Sequence, residues 1–336
     1  MDRLYCTLQE VIEDLEQPGV RKETTIMRAI RAASQWIDQQ IGWFMPLTET
    51  RVLDGPGGVD LWLPRPLLGV VSIVDDVVTL VGADYWLYPE RRLWQNGPYD
   101  RVAISVDSTQ MSTWGVEQRG ITLTGRWGLY EESRATGATV ATQTDSATSL
   151  VVDDGSKVSP GAVLLIGTEQ ELVEATGAPT DSTTNTNEAL TAEDETVTVV
   201  DGSVLNIGEV IRVNFEQMKI LDVSTNDLSV ERGWNGTKRV SHLTAQDVYV
   251  YRTFTVKRGA NGTTAASHTA AAISQYVAPD DVNMLARQMA GLLLKKAQSG
   301  WAGKMGNAEL GEVFYLQEFP KEAIARIKSN YFYPLP

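Results

Sequence analysis

Arg232-Gly233-Trp234-Asn235-Gly236-Thr237, with Ser241-His242 behind it, returns 26 residues later as Arg258-Gly259-Ala260-Asn261-Gly262-Thr263, with Ser267-His268 behind it. Upstream, Asp154-Gly155-Ser156, Gly161 and Glu169-Gln170 return as Asp201-Gly202-Ser203, Gly208 and Glu216-Gln217, now shifted by 47. A tandem array has a single period. Two periods require one copy to lie inside the other. The inner Glu216 and Arg232 are 16 residues apart, while the outer Glu169 and Arg258 are 89 apart, because the outer pair encloses the inner copy. This reading gives an outer module at 139–191 and 253–277 and an inner module at 192–252, with the Thr/Ser/Asn-rich stretch Thr180 to Asn187 as the linker.

Each module reads as a small antiparallel β-unit. Runs such as Thr196–Val200, Val210–Val213, Met218–Val223 and Leu228–Glu231 are apolar or alternating and are bounded by Asp-Gly, Gly and Asn-Gly turns. The two histidines of the chain, His242 and His268, occupy the same place in the two copies. With no cysteine or second histidine in either module, and the glutamate the only obvious partner for a ligand role, they are expected to hydrogen-bond within their own loops and not to ligate a metal. Arg232, Asn235, Gly236 and His242, with Arg258, Asn261, Gly262 and His268, are therefore read as loop-structuring residues. Both Asn-Gly-Thr triplets match the glycosylation sequon but are read as turns.

Composition narrows the function classes. The chain has 336 residues, 29 basic against 43 acidic, for a formal charge of −14. The excess is uneven: residues 139–277 hold 9 basic and 18 acidic residues, whereas 278–336 hold 7 and 6. Such a balance excludes a protein that coats nucleic acid through phosphate contacts. One cysteine, Cys6, leaves no internal disulfide and too few thiols for a zinc or iron–sulfur site. No apolar run approaches a membrane span, and the first residues lack the layout of a signal peptide. No acidic pair is set apart for acid–base work, so no catalytic, cofactor-binding or metal-ligating residue is assigned and the chain is not expected to be an enzyme.

The two ends are helical. Thr7 and Glu10 have capping-box spacing ahead of Leu8, Val11, Ile12 and Leu15, and Ile26, Ile30, Ala33, Ile37 and Ile41 make a stripe on a second helix from Glu23 to Gln40. Strands follow Pro46. Thr50–Leu53 and Val59–Leu63 around Asp54-Gly55-Pro56-Gly57-Gly58 read as a hairpin. Helical texture returns at Pro279-Asp280-Asp281, with Val282, Leu285, Met289, Leu292 and Leu293 inward, and a last helix from Pro320 carries Ile324 and Ile327 before Tyr331-Phe332-Tyr333.

In this order the chain resembles the head–tail connector (adaptor, or head-completion) proteins of tailed bacteriophages. The matching residues are Ala32 to Gly42 at the end of the paired helices, Asp54-Gly55-Pro56-Gly57-Gly58, Leu61-Trp62-Leu63-Pro64-Arg65-Pro66-Leu67-Leu68, the Pro279 helix and the Pro320–Tyr333 tail. The resemblance implies an α+β fold: a helical connector core with a β-hairpin and strand region at 1–138 and 278–336, plus an inserted all-β region of two nested modules. It implies a structural virion protein of the neck, made in the host cytoplasm. Such a protein forms a homo-oligomeric ring beneath the portal protein, with twelve copies suggested by portal symmetry. It extends the DNA channel without sequence-specific binding and meets a tail-side neck, stopper or tail terminator protein, with no cofactor and no membrane. Ile324, Ile327, Tyr331, Phe332 and Tyr333 would dock on the portal, and the acidic insertion is expected to project outward. The alternative raised by the repeated loops at Trp234 and Ala260 is a carbohydrate- or cell-surface-binding phage protein that uses the β-modules.

Overall fold

A computed structural model describes residues 3–15, 23–89, 97–298, 304–307, 312–315 and 321–331. Helix α1 (Leu8–Glu13) starts on the expected capping box, with the Thr7 N–H donating to Glu10 Oε2 at 2.7 Å. Helix α2 (Glu23–Gln40) turns its isoleucine stripe inward, so that Ile26, Ile30, Ala33 and Ile37 are wholly buried. The chain start is tied to α2 through Arg3, which donates to Asp38 at 3.0 Å, and through Tyr5, whose hydroxyl also meets Asp38.

Strands β1 (Leu47–Leu53), β2 (Asp60–Asp75), β3 (Val78–Leu80), β4 (Tyr85–Pro89), β5 (Tyr99–Ile104) and β6 (Ile121–Trp127) form one antiparallel sheet in the order β1-β6-β2-β5-β4, with β3 on β2. Their inward residues, among them Leu61, Leu67, Ile73, Leu123 and Trp127, make a core of their own with Trp114 from the β5–β6 connection. The expected hairpin is not formed. Strand β6 lies between β1 and β2, and Asp54–Gly58 is held by a third segment: Gly55 N–H donates to Glu117 O and Gly57 N–H to Gly115 O, both at 3.0 Å. The glycines serve this close approach, since a Cβ on Gly55 would collide with the Gly115 carbonyl.

The outer module begins with β7 (Ser133–Thr139), β8 (Thr142–Gln143), β9 (Ser149–Val151), β10 (Val163–Ile166) and β11 (Glu169–Thr176). The inner module follows as β12 (Thr180–Asn185), β13 (Thr196–Thr198), β14 (Val210–Val213), β15 (Glu216–Ser224), β16 (Asp227–Arg232) and β17 (Asp247–Val250). The outer module then resumes with β18 (Thr253–Lys257), β19 (His268–Thr269) and β20 (Ala272–Tyr276). The sheets run β7-β20-β10-β11-β18-β9 and β12-β17-β14-β15-β16-β13, the same order strand for strand under the 47 and 26 shifts. Even a bulge recurs, between Val173 and Ala175 and between Ile220 and Asp222. Two boundaries move. The outer sheet starts at Ser133, and Thr180–Asn185, expected as a linker, is an inner-sheet strand whose Thr180 and Asp181 pair with Val250 and Tyr249. Its threonines and serine suit a strand as well as a linker; pairing decided between them.

Helix α3 (Asp280–Gln298) returns along α2, followed by the two-stranded pair β21 (Lys304–Asn307) and β22 (Glu312–Tyr315) and by α4 (Lys321–Tyr331). Ala286 and Ala290 are fully buried, as close helix packing requires. Strand accounts for 40% and helix for 21% of the described residues. The expectation of an α+β protein with a helical connector core is therefore corrected to a mostly β fold. The physical reason is that the helices supply one layer only. Their apolar faces close over each other and over Val163, Leu172, Ala260 and Tyr276 of the outer module, while the segment between α2 and β7 is stabilised by its own sheet. No helix among the described residues is long and apolar enough to cross a membrane.

Candidate functional site

Strands β15 and β16 carry Glu216 and Arg232 side by side, and the loop after β16 brings back His242. Arg232 Nε and Nη2 donate to Glu216 Oε1 and Oε2 at 2.7 and 2.8 Å. The other donors reach Thr191 O at 3.0 Å, Asp194 O at 2.9 Å and Val240 O at 2.8 Å, which uses all five guanidinium hydrogens. Glu216 also accepts from Gly233 N–H at 3.2 Å and Val240 N–H at 3.1 Å, and His242 Nε2 lies 2.9 Å from Oε2. Asn214 Nδ2 is 3.2 Å from His242 Nδ1, so the ring accepts on that side and donates to Glu216 from the other. Burial pushes the Glu216 carboxyl up, but Arg232, His242 and the Val240 N–H outweigh it and hold it at about 2.

The outer knot repeats this. Arg258 donates to Glu169 at 2.8 and 2.7 Å and to the carbonyls of Thr144, Ala147 and Ala266. Gly259 and Ala266 N–H groups reach Glu169 at 2.9 and 2.8 Å, and His268 Nε2 at 3.0 Å. Burial again pushes Glu169 up, and Arg258 with these donors brings it down to about 2. The loops match as well. Asn235 and Asn261 are left-handed, at φ 53° and 51°, and donate to Gln217 and Gln170 at 2.8 and 2.9 Å. Gly236 and Gly262 follow at φ 73° and 77°.

All eight loop residues singled out in the sequence thus fall into two matching knots. The histidine partner is corrected: it is the glutamate, outside the loop. Glu169 and Glu216 were visible as repeated residues and as the only obvious side-chain partners of the histidines, whereas Gln170 and Gln217 carried no assigned role; their shared offset was the signal. One difference was missed. The outer knot holds a further fully buried carboxylate, Glu171, whose Oε2 accepts from Gln143 Nε2 at 3.2 Å. Their inner equivalents are Met218 and Leu190, both buried and apolar.

Glu169, Glu171 and His268 present ligand-type atoms within 4.8 Å of one another. The guanidinium of Arg258 already bridges both carboxylates, 2.7 Å from Glu169 and 3.1 Å from Glu171, and supplies the positive charge there. Among the described residues neither histidine has a hydroxyl or thiol nucleophile as a hydrogen-bond partner. Cys6 is buried, and burial, with Glu10 nearby, pushes its thiol well above the usual range. The knots are built to hold loops in place.

Exposed chemistry lies on the first sheet. Cross-strand neighbours Trp62, Arg101 and Tyr88 form one row, and Asp60, Ala103 and Trp86 the next on the same face. Trp62 is 65% and Trp86 61% exposed. Arg101 lies over Trp62 and Tyr88, 5.3 and 4.1 Å from the ring centroids, and pairs with Asp60 at 2.9 Å. Trp234 is different. It is 8% exposed with Lys219 4.7 Å above its ring, so its indole is not offered to a sugar.

The expected docking residues divide. Ile327 is fully buried in the helical layer, Ile324 packs against that layer, and Tyr331 meets Phe44 edge-to-face at 5.0 Å. In this fold Ile327 is a core residue and presents no surface to a partner. Phe332 and Tyr333 lie outside the described residues. No protein-family model, curated protein or solved structure matches the chain.

Proposed function

We propose that the chain is a non-enzymatic structural protein of the tailed-bacteriophage neck, a connector that assembles through its first sheet into a ring beneath the portal and offers a surface to the tail. The observation that carries this reading is the exposed row Trp62, Arg101, Tyr88 with Trp86 beside it. Single exposed apolar residues need no explanation, but two indoles and a phenol on one sheet face are what an assembly interface covers. Trp62 and Arg65 belong to the Leu61–Leu68 motif of the connector resemblance, and both side chains are exposed. Closed rings repeat one heterologous interface, so this face would meet a second, different face of the neighbouring copy. The knots support a framework role, because both histidines and their arginines are spent on holding loops.

Negative-stain imaging and native mass spectrometry of the purified protein, alone and with the portal protein of the same phage, test the proposal. Rings, or a stable complex with portal, are the expected result. A monomer at every concentration that also leaves portal unbound overturns it. The same aromatic row favours a second reading, glycan stacking, moved from the β-modules to the first sheet; binding on a glycan array by a ring-free protein would favour it.

A further inference from the structure

We propose that the outer module holds a proton at a site its inner copy lacks, a carboxylic acid–amide pair formed by Glu171 and Gln143. Two buried atoms point to it. Glu171 Oε1 and Gln143 Oε1 are both without a hydrogen-bond partner, although their side chains are already joined through Gln143 Nε2 and Glu171 Oε2 at 3.2 Å. Both orphans are acceptors. One proton on the carboxyl converts it to a donor toward the amide oxygen, closing a two-bonded ring that satisfies both atoms at once.

Charge balance leads to the same place. The inner knot sets one carboxylate, Glu216, against one guanidinium, Arg232, with apolar Leu190 and Met218 alongside. The outer knot sets two carboxylates, Glu169 and Glu171, against the single Arg258. Glu169 takes both arms of that guanidinium. Glu171 Oε1 has only its Nε, at 3.1 Å and without the alignment of a hydrogen bond. A wholly buried second anion without its own counter-charge is costly, and a proton removes it.

The charged and titratable groups around Glu171 are Glu169 on its own strand, Arg258 at the end of β18 and His268 on β19. Gln143 faces it from β8, and its ladder partner Leu164 on β10 is apolar. Burial, followed by Glu169 among the raising influences, lifts the Glu171 carboxyl above its ordinary value against the pull of Arg258, Gln143 and His268. A group raised on folding contributes stability that is fully present below its unfolded value and is lost as pH rises through the folded value. The outer module is thereby loosened by rising pH through this pair, and the inner module is not.

Infrared difference spectra of the full chain, stepped upward from pH about 4.3, the ordinary glutamate value, read the proton directly. A protonated-carboxyl carbonyl band that persists after ordinary carboxylates ionise, and that Glu171→Gln removes, is the expected result. The pair Glu171→Met with Gln143→Leu copies the inner module and is expected to fold, to lack the band and to lose less thermal stability as pH rises. The reverse pair, Met218→Glu with Leu190→Gln, is expected to add a band. Three outcomes overturn the assignment. One is the absence of a Glu171-dependent band above the ordinary range. Another is unchanged pH dependence in the inner-like variant. The last is a band bleached at fixed pH by zinc or manganese, which makes the cluster a metal site.

Discussion

Replacing Arg232 by methionine tests whether the knot holds the inner module together. The change keeps a long apolar stem and removes five hydrogen bonds at once. Glu216 is left buried with two backbone donors and His242, and the carbonyls of Thr191, Asp194 and Val240 lose their donor. Two routes give the size of the effect. Removing one partner of a buried pair costs about 3–5 kcal/mol. Independently, Glu216 drops from 4.5 to about 2 on folding, which corresponds to about 3 kcal/mol of stability, with Arg232 the largest downward influence.

The pH dependence carries a definite sign. In the native protein the Glu216 contribution is full above its unfolded value and is lost as pH falls through the folded value, between about 4.5 and 2. Without Arg232 burial dominates, the carboxyl rises, and acid relieves the variant by protonating it. The gap between the two proteins is therefore widest near neutral pH and narrows on acidification. Hydrogen exchange resolved by peptide is the assay, because a chain with several cores has no single unfolding free energy. Amides of β14, β15 and β16 should lose protection equivalent to about 3 kcal/mol or more, while those of β1 and β6 keep theirs. A loss under about 1 kcal/mol, or a gap that ignores pH, would show that the knot is not what holds these loops.

Three further outcomes follow from the same geometry. Gly262→Ala drives a Cβ into the Thr48 carbonyl and also meets the positive φ penalty, so it should cost more in thermal denaturation than that penalty alone, about 1 kcal/mol or more. Ala260→Trp, which copies the inner residue, overfills a fully buried position against the helical layer and should lower stability by about 1–3 kcal/mol, with faster proteolysis between α1 and the outer module. Trp62→Ala with Trp86→Ala removes two exposed indoles and should leave the melting temperature within a few degrees while abolishing the proposed rings in native mass spectrometry.

The nested order was legible because turn chemistry is local: Asp-Gly, Asn-Gly and the glutamate recur whatever packs around them, and the two offsets alone force one copy inside the other. The helices were legible through the Ile26–Ile41 stripe and the Thr7–Glu10 cap. Pairing was not, since β1 and β2 read equally well as each other's partners until β6, some 50 residues on, takes the place between them. The balance of the fold was misjudged for a related reason. A stripe on α2 says that a helix buries one face and nothing about how much of the molecule covers it. The Glu171–Gln143 pair was hidden because its meaning appears only when Met218 and Leu190 are seen in the same places.

Where the inner copy enters the outer one decides how far the outer module depends on it. Inner strands β15 and β16 are joined by the two-residue turn Thr225-Asn226, with Thr225 at φ 59°. Under the two offsets these positions correspond to Ala178 and Arg252, the first and last residues of the insertion. Outer Gly177 still donates to Thr253 O at 2.8 Å, and Thr176 still pairs with Phe254, as Val223 does with Leu228. The insertion has therefore replaced a hairpin turn, where the chain ends are already adjacent. One contact changed hands. In the inner copy the Gly202 N–H is capped by Asn226 Oδ1 at 3.0 Å; in the outer copy Gly155 N–H is capped by Glu209 of the inner module at 2.9 Å, held by Arg252 at 2.6 and 2.7 Å. Restoring the uninterrupted pattern of the inner copy should need two residues only. Replacing residues 178–252 by Thr-Asn returns both the turn and the asparagine cap, and the shortened chain should fold with native protection in β10, β11 and β18. A companion with Thr-Ala in the turn leaves Gly155 uncapped and should lose about 1 kcal/mol or more of that protection. If the Thr-Asn chain leaves these strands unprotected while β1 and β6 stay intact, the inner module has become a structural requirement of the outer one and the hairpin-turn reading fails.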